Sequence, residues 1–357
     1  MNITIDQIKQ ALSHVNDPDL GKDLITLNMI DNIAIQDNII SFDLVLTTPA
    51  CPMKQKMKDD CLQAIASSIS PEVEVQINFT AKVVSPHTID NEGMKKVKHI
   101  IAVGSGKGGV GKSTVAANLA LALSASGAKV ALVDADIYGP SIPTLFNLLH
   151  AQPKGVEEEG KTWLLPIEKH GIKLMSIGFF VDPCKAVLWR GPMASNAIKQ
   201  MFMETLWDEI DYMVVDLPPG TGDIQITISQ MIPVSGVILV STPQQLAVAD
   251  VRKAADMFIS VKTPILGIVE NMAYFTPAEL PNNKYYLFGK GGGSALSQEF
   301  GFPLLMQIPL IQSMAESADE GTPAILTENG NSRPFFKELA EKTAQSISIL
   351  TNKASNK

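Results

Sequence analysis

Residues 100–114 read IIAVGSGKGGVGKST. Ile100–Val103 is an apolar run of strand length, and Ser113–Ser126 carries the pattern of a helix. Between them, Gly106-Lys107-Gly108-Gly109-Val110-Gly111-Lys112-Ser113 fits G-x-x-x-x-G-K-[ST], followed by Thr114. A strand before and a helix after is the context in which that pattern cradles phosphate. The glycines let the backbone turn tightly and aim successive N–H groups at one point. The helix N-terminus adds partial positive charge there. Lys112 is expected to reach the β- and γ-phosphates of a nucleotide, and the Ser113 hydroxyl to ligate Mg²⁺. A second glycine cluster, Gly289–Gly293, lacks a Lys-Ser/Thr pair and reads as a loop.

Downstream, strands alternate with helices. Lys129–Asp134, Tyr212–Asp216, Gly236–Ser241 and Pro264–Glu270 read as strands, and Ala247–Ile259 as a helix. Gly127 stands where a helix C-terminus favours positive φ. Such alternation predicts an α/β fold with a mostly parallel sheet covered on both faces. Upstream, residues 1–85 read as a small α+β domain. Thr4 can cap a helix to about His14, and Asp37-Asn38 marks a turn. Ile40, Phe42, Leu44 and Leu46 alternate as in a half-buried strand, and Val73–Ile77 reads as another. Residues 86–98 are assigned to a linker, 99–357 to the phosphate-loop domain, and 346–357 within it to a frayed tail.

Three acids stand where strands end. Asp134 and Asp136, in VDADIYGPS, follow one strand; Asp216 ends another, before LPPGTGD. Open α/β sheets bind ligands beyond the carboxyl ends of their strands. One of Asp134 and Asp136 can orient a water toward the γ-phosphate, and the other can hold Mg²⁺ through water or simply cap the next turn. Asp216 matches an acid acting on Mg²⁺, and Gly220-Thr221-Gly222 can shift when the γ-phosphate is lost.

The extra lysine, Lys107, in KGGVGKST resembles the deviant Walker A loop of the MinD/ParA/nitrogenase-iron-protein class. VDADIYGPSIP, LWRGPM, DYMVVDLPPGTGD and FGKGGGSALSQEFGFPLLMQIPL resemble the Mrp/ApbC iron–sulfur cluster carriers. DPDLGKDLITLNMI and TTPACP resemble the cluster-assembly-type domain often fused ahead of that ATPase. The resemblance spans about residues 4–345. It implies an ATP-hydrolysing homodimer that delivers clusters to apo-proteins. Lys107 would reach the partner's phosphates, and Lys112 and Asp136 would be catalytic, with Asp136 orienting the water. Asp216 would be the Mg²⁺-linked switch acid, and Asn271 would contact adenine. The sequence departs from that pattern in ENMAYFTPAELPNNKYYLFG, residues 270–289: the family's usual CxxC is missing.

The chain has three cysteines. Pro52 suits a first helical position, which puts Cys51 at a helix N-cap where the thiolate is favoured. Cys51 is therefore a candidate for iron–sulfur or thiol chemistry. Cys61 falls on an apolar helical stripe, and Cys184 falls in a loop. The five histidines, at positions 14, 87, 99, 150 and 170, show no metal-ligand spacing.

A net charge of −8, with no long Lys/Arg run, gives no general attraction to nucleic acid or anionic lipid. No apolar run reaches membrane-spanning length, and Met1–Gln10 has no leader pattern. The expectation is a soluble, cytoplasmic protein. A positioning ATPase on membrane or DNA would want a basic amphipathic tail, and acids offset bases between Arg333 and Lys357. A cluster-bearing reductase would need cysteine ligands in the ATPase domain, where only Cys184 lies.

Overall fold

The structure is a computed structural model that describes residues 3–85, 89–158, 160–182, 191–327 and 331–355. The chain divides into two units: Met1–Pro86 with Ala344–Lys357, and His87–Thr343.

In the first unit, helix α1 (Ile5–Leu12) opens with a capping box, in which Thr4 and Gln7 exchange side-chain and backbone bonds. Strands β1 (Ile30–Gln36) and β2 (Ile39–Leu46) pair antiparallel across Asp37-Asn38, with Asp37 at φ 53°. Helix α2 (Lys54–Ser68) then carries the chain over to β3 (Glu74–Ala81), which runs parallel to β2. The alternation along β2 sends Ile40, Phe42, Leu44 and Leu46 into a core shared with Ile8, Leu12, Met57, Cys61 and Ile65.

The second unit holds an eight-stranded sheet. Strand β4 (Val97–Ser105) leads through the glycine-rich loop into α3 (Lys112–Ala125) and on to β5 (Val130–Asp134). Helix α3 is buried all round from Val115 to Leu123, which its near-continuous apolar sequence allows. Gly127, at φ 100°, ends it as expected. After the short α4 (Ile142–Leu145) comes a segment that sequence patterning does not resolve. It forms a hairpin, β6 (Lys154–Glu158) with β7 (Lys161–Leu165), and then β8 (Ile167–Lys169) and β9 (Ile172–Ser176). The remaining elements are α5 (Gly191–Met203), β10 (Ile210–Asp216), α6 (Asp223–Met231), β11 (Gly236–Ser241), α7 (Gln245–Ser260), β12 (Ile265–Glu270), α8 (Gly292–Phe300), β13 (Leu304–Gln307), α9 (Gln312–Asp319) and α10 (Arg333–Ser355).

The sheet order is β13-β12-β11-β4-β10-β5-β9-β8, parallel throughout except for β8 on β9. Strand β4 is therefore central. The loop after it faces the carboxyl ends of β10, β5, β11 and β12, where Asp216, Asp134, Ser241 and Glu270 end their strands.

Two boundaries differ from expectation. Residues 346–355 are not a frayed tail but the end of α10, and from Ala344 they belong to the first unit rather than to the phosphate-loop domain. Gln345 donates to Asp19 at 2.6 Å and Ser348 to Thr47 at 2.8 Å. These partners lie 326 and 301 positions away, so local sequence carries no trace of them. The linker assigned to 86–98 shrinks, because β4 already begins at Val97; residues 86–88 lie outside the described ones.

Leu44 is fully buried on the central strand of its sheet. Leu44→Ala should cost the first unit about 3 kcal/mol. Hydrogen exchange of the β1, β2 and β3 amides should quicken accordingly, and unchanged exchange would contradict this core assignment.

Candidate active site

The loop from Gly106 to Thr114 has its shape imposed from two sides. A Cβ on Gly106 would lie 2.2 Å from the backbone carbon of Asp250 in α7, so only glycine fits there. Gly111 sits at φ 82° as the N-cap of α3, and a Cβ on it would meet the Asn271 amide nitrogen at 2.2 Å. Nothing lies within 4 Å of the equivalent positions on Gly108 and Gly109, which leaves their backbone open to a ligand. Ser105 Oγ donates to the Lys107 carbonyl at 3.0 Å, and Asn271 Nδ2 to the Val110 carbonyl at 2.8 Å.

Lys112 begins α3, and its side chain is only 6% exposed. Its Nζ lies 2.5 Å from Asp216 Oδ1, 3.5 Å from Asp136 Oδ2 and 3.3 Å from Ser113 Oγ. One buried ammonium thus answers to two carboxylates. Burial raises the Asp136 pKa above the ordinary carboxylate value, Lys112 opposes the rise and Asp216 adds to it. Asp216 is fully buried, and its Oδ2 has no hydrogen-bond partner. A buried carboxylate oxygen is costly to leave unmatched. A Mg²⁺-bound water would match it, and the Ser113 hydroxyl beside Lys112 is a suitable metal ligand. The residues present therefore fit Mg²⁺ accompanying a nucleotide.

Asp134 stands in the turn-capping arrangement that the sequence leaves open for one of the two acids. It faces Asp216 across the β5–β10 pair, but its oxygens are occupied. Oδ1 accepts the Asp136 N–H at 3.2 Å; Oδ2 accepts the N–H groups of Ser141 and Ile142 and the Ser176 hydroxyl, each at 3.0 Å. Burial, and next the Asp216 charge, push its pKa up; the Ile142 N–H, Lys112 and Ser176 hold it back. Asp134 is the cap of the 136–142 turn, and by fixing that turn it aims Asp136 at Lys112.

Asn271 is anchored to the loop through its bond to the Val110 carbonyl, which helps shape the phosphate cradle. Lys107 is half-buried, with Nζ 3.5 Å from Gln244 Oε1. The cluster Gly289–Gly293 is the entry to α8: Gly291 is its N-cap, and the Gly293 N–H donates to Glu270 Oε2. Sequence reading missed Glu270. Its carboxylate, 1% exposed, is also bound by Gln307 Nε2 at 2.7 Å. The signal was available as a lone acid ending an apolar strand.

Of the three cysteines, Cys51 and Cys61 lie among the described residues, and both are buried. Cys51 is not an N-cap, because α2 starts at Lys54 and Met53 caps it. The thiol is 8% exposed, and burial pushes its pKa up to about 11; the Met53 and Lys54 N–H groups oppose this, and Asp19 and Asp17 reinforce it. The expected thiolate is therefore disfavoured. Cys61 is core, with its pKa pushed up to about 12 by burial and then by Asp60. Cys184 lies outside the described residues. Among the described residues, no three His, Cys, Asp or Glu side chains gather as metal ligands. In the segment 270–289, Phe275 and Tyr285 exchange backbone bonds of 2.8 Å, and Lys284 lies 4.0 Å from the centre of the Tyr274 ring. No helix among the described residues is long and apolar enough to cross a membrane.

The family model of the ParA group described as NUBPL iron-transfer P-loop NTPase matches residues 96–347, and that of an iron–sulfur cluster assembly protein matches 5–78. The iron-sulfur cluster carrier protein of Synechocystis sp. is 43% identical over 97% of this chain and 99% of its own. That of Escherichia coli is 40% identical over 94% and 90%. Among solved structures, a nucleotide-binding protein from Archaeoglobus fulgidus in complex with ADP matches with a TM-score of 0.57 at 40% identity, over 67% of this chain and 92% of that one.

With its thiol pKa near 11, Cys51 should react slowly with iodoacetamide at neutral pH. In a Cys184→Ser background at about pH 8, alkylation at Cys51 should run at least about 100-fold slower than for free cysteine, and should climb with pH toward 11. Peptide mass mapping reads this, and labelling at the rate of free cysteine would contradict the buried-thiol geometry.

Proposed function

Because this chain belongs to the NUBPL iron-transfer P-loop NTPase family, we propose that it binds Mg·ATP at the Gly106–Thr114 loop, hydrolyses it slowly, and uses the cycle to assemble iron–sulfur clusters and deliver them to apo-proteins. The observation that carries this is Lys112, buried at the start of α3 between Asp216 and Asp136. Full-length similarity to proteins named iron-sulfur cluster carriers supports the cargo.

The chemistry follows from charge. Backbone N–H groups from Gly108 to Ser113 receive the phosphates. Lys112 exchanges its bond to Asp216 for phosphate oxygens, which frees a carboxylate that had been paired. Mg²⁺, held by the Ser113 hydroxyl and by Asp216 through water, would neutralise phosphate charge. Asp136, with its raised proton affinity, orients the attacking water and is suited to take its proton. Lys107, whose ammonium is held by a long 3.5 Å contact with Gln244, turns toward the phosphates of a second copy, which makes the working form a homodimer. Asn271 contributes to the ATP site through the loop it anchors and contacts adenine from there. The protein works in the cytoplasm, without a nucleic-acid or membrane partner.

The cluster is cargo. The 270–289 segment has no cysteine, so it does not hold a cluster in the manner the family resemblance implies. That absence, together with the buried Cys51 thiol, favours a second version of the same reading: an ATP-driven dimeric switch that serves assembly without a stably bound cluster.

Two variants test the ATPase. Lys112→Ala should abolish nucleotide binding in calorimetry. Asp136→Asn should still bind ATP while kcat falls at least about 100-fold. Equal loss of binding in both would remove Asp136 from the chemical step. Anaerobic reconstitution with iron and sulfide, followed by transfer to an apo iron–sulfur acceptor, tests the cargo: acceptor activation should depend on ATP, and activation indifferent to nucleotide would reject the carrier assignment.

A further inference from the structure

The loop after Asp216 has two adjacent residues that cannot donate from the backbone. Residues 217–222 read LPPGTG, and two consecutive prolines contribute carbonyls but no N–H. Leu217 N–H donates to Val103 O at 3.0 Å and Gly220 N–H to Ser105 O at 2.8 Å, which ties the loop to the end of β4, one residue before Gly106. The carbonyls of Pro218, Pro219 and Gly220 turn instead toward a single side-chain atom. Gln225 Nε2 lies 2.9, 3.2 and 3.2 Å from them, and the residue is 2% exposed.

Gln225 is the third residue of α6, which has no side-chain N-cap. A Gln at that position ordinarily accepts from the backbone N–H of the N-cap residue. Here its nitrogen donates into the loop, so its bonds serve the turn rather than the helix. The side chain also has the one chemistry that suits the place. Two N–H groups shared among three carbonyls satisfy them without bringing in charge. A carboxylate of the same shape would set acceptor against acceptor in a buried space.

We propose that Gln225 is a positioning residue for ATP hydrolysis: its amide clamps the Pro218–Gly220 turn, so that Asp216 keeps its place when Lys112 leaves it for the phosphates. This rests on the ATPase reading above. The Gln225 amide bonds to the Pro218, Pro219 and Gly220 carbonyls and not to the Gly106–Thr114 loop, so its loss should weaken the chemical step and spare nucleotide binding.

The test uses the full chain with Gln225→Met and Gln225→Glu. Gln225→Met keeps length and apolar bulk but cannot donate. Its kcat should fall about tenfold, the loss of one well-made buried hydrogen bond, while KM for ATP and Kd for ADP stay within about twofold of wild type. Hydrogen exchange at Gly220 should quicken in the same variant. Gln225→Glu should be equally slow at about pH 8.5 and should recover relative to wild type toward about pH 6, because a carboxyl among carbonyls holds its proton more tightly and donates once protonated. A wild-type kcat in Gln225→Met overturns the proposal. So does a Gln225→Glu deficit that is flat with pH, or a loss of ADP binding that matches the loss of kcat. If wild type itself turns over no ATP, the ATPase reading falls instead; the clamp is then judged by Gly220 exchange alone, and exchange unchanged in Gln225→Met overturns it.

Discussion

A lysine ammonium that is almost wholly buried needs counter-charge, because desolvation of an unpaired ion costs several kcal/mol. Lys112 finds it in Asp216, with Asp136 a little farther off. Two acids for one base leaves an excess of negative charge in a dry place. Most of the local construction manages that excess. The Asp134 oxygens are met by N–H groups and a hydroxyl rather than by a direct ion pair. Asp136 has a raised proton affinity, and Asp216 keeps one oxygen unmatched. The arrangement is poised for an incoming group that brings both anionic oxygens for Lys112 and a cation for the freed carboxylate. Mg·ATP brings both.

The frame around this charge is rigid where it has to be. Gly106 is pressed against the backbone of α7, and Gly111 against Asn271. Glu270, next to Asn271, ties β12 to the entry of α8. The cradle is thus fixed from α7, β12 and α8 together, and the 217–222 loop is fixed by Ser105 and Gln225. The parts left open, Gly108 and Gly109, are those a phosphate must approach.

Much of this was legible in the sequence because it is local. The loop, the end of the strand before it and the start of the helix after it are written within residues 100–114. Asp136 and Asp216 follow from the rule that ligands gather at strand carboxyl ends. What sequence missed is non-local. Asp134 looked as available as Asp136, and only the return of Ser141, Ile142 and Ser176 shows that it is occupied. Cys51 looked like a capping thiol because Pro52 suits a first helical position, but α2 begins later, and burial with nearby Asp17 and Asp19 reverses the expected electrostatics. The end of α10 looked frayed because its partners lie at the other end of the chain. The 146–177 segment, with its hairpin and antiparallel edge strand, lacks the regular spacing that marks the rest of the sheet.

In the proposed cycle, Asp216, released by Lys112, takes up the metal that accompanies ATP. Calorimetric titration of ATP in Mg²⁺ and in EDTA, on wild type and Asp216→Asn, tests it most directly. Wild type should bind ATP at least about tenfold more tightly with Mg²⁺. Asp216→Asn should lose that enhancement and bind metal-free ATP as well as wild type or better, since one negative charge facing the phosphates is gone. The same Mg²⁺ enhancement in both proteins would contradict the account.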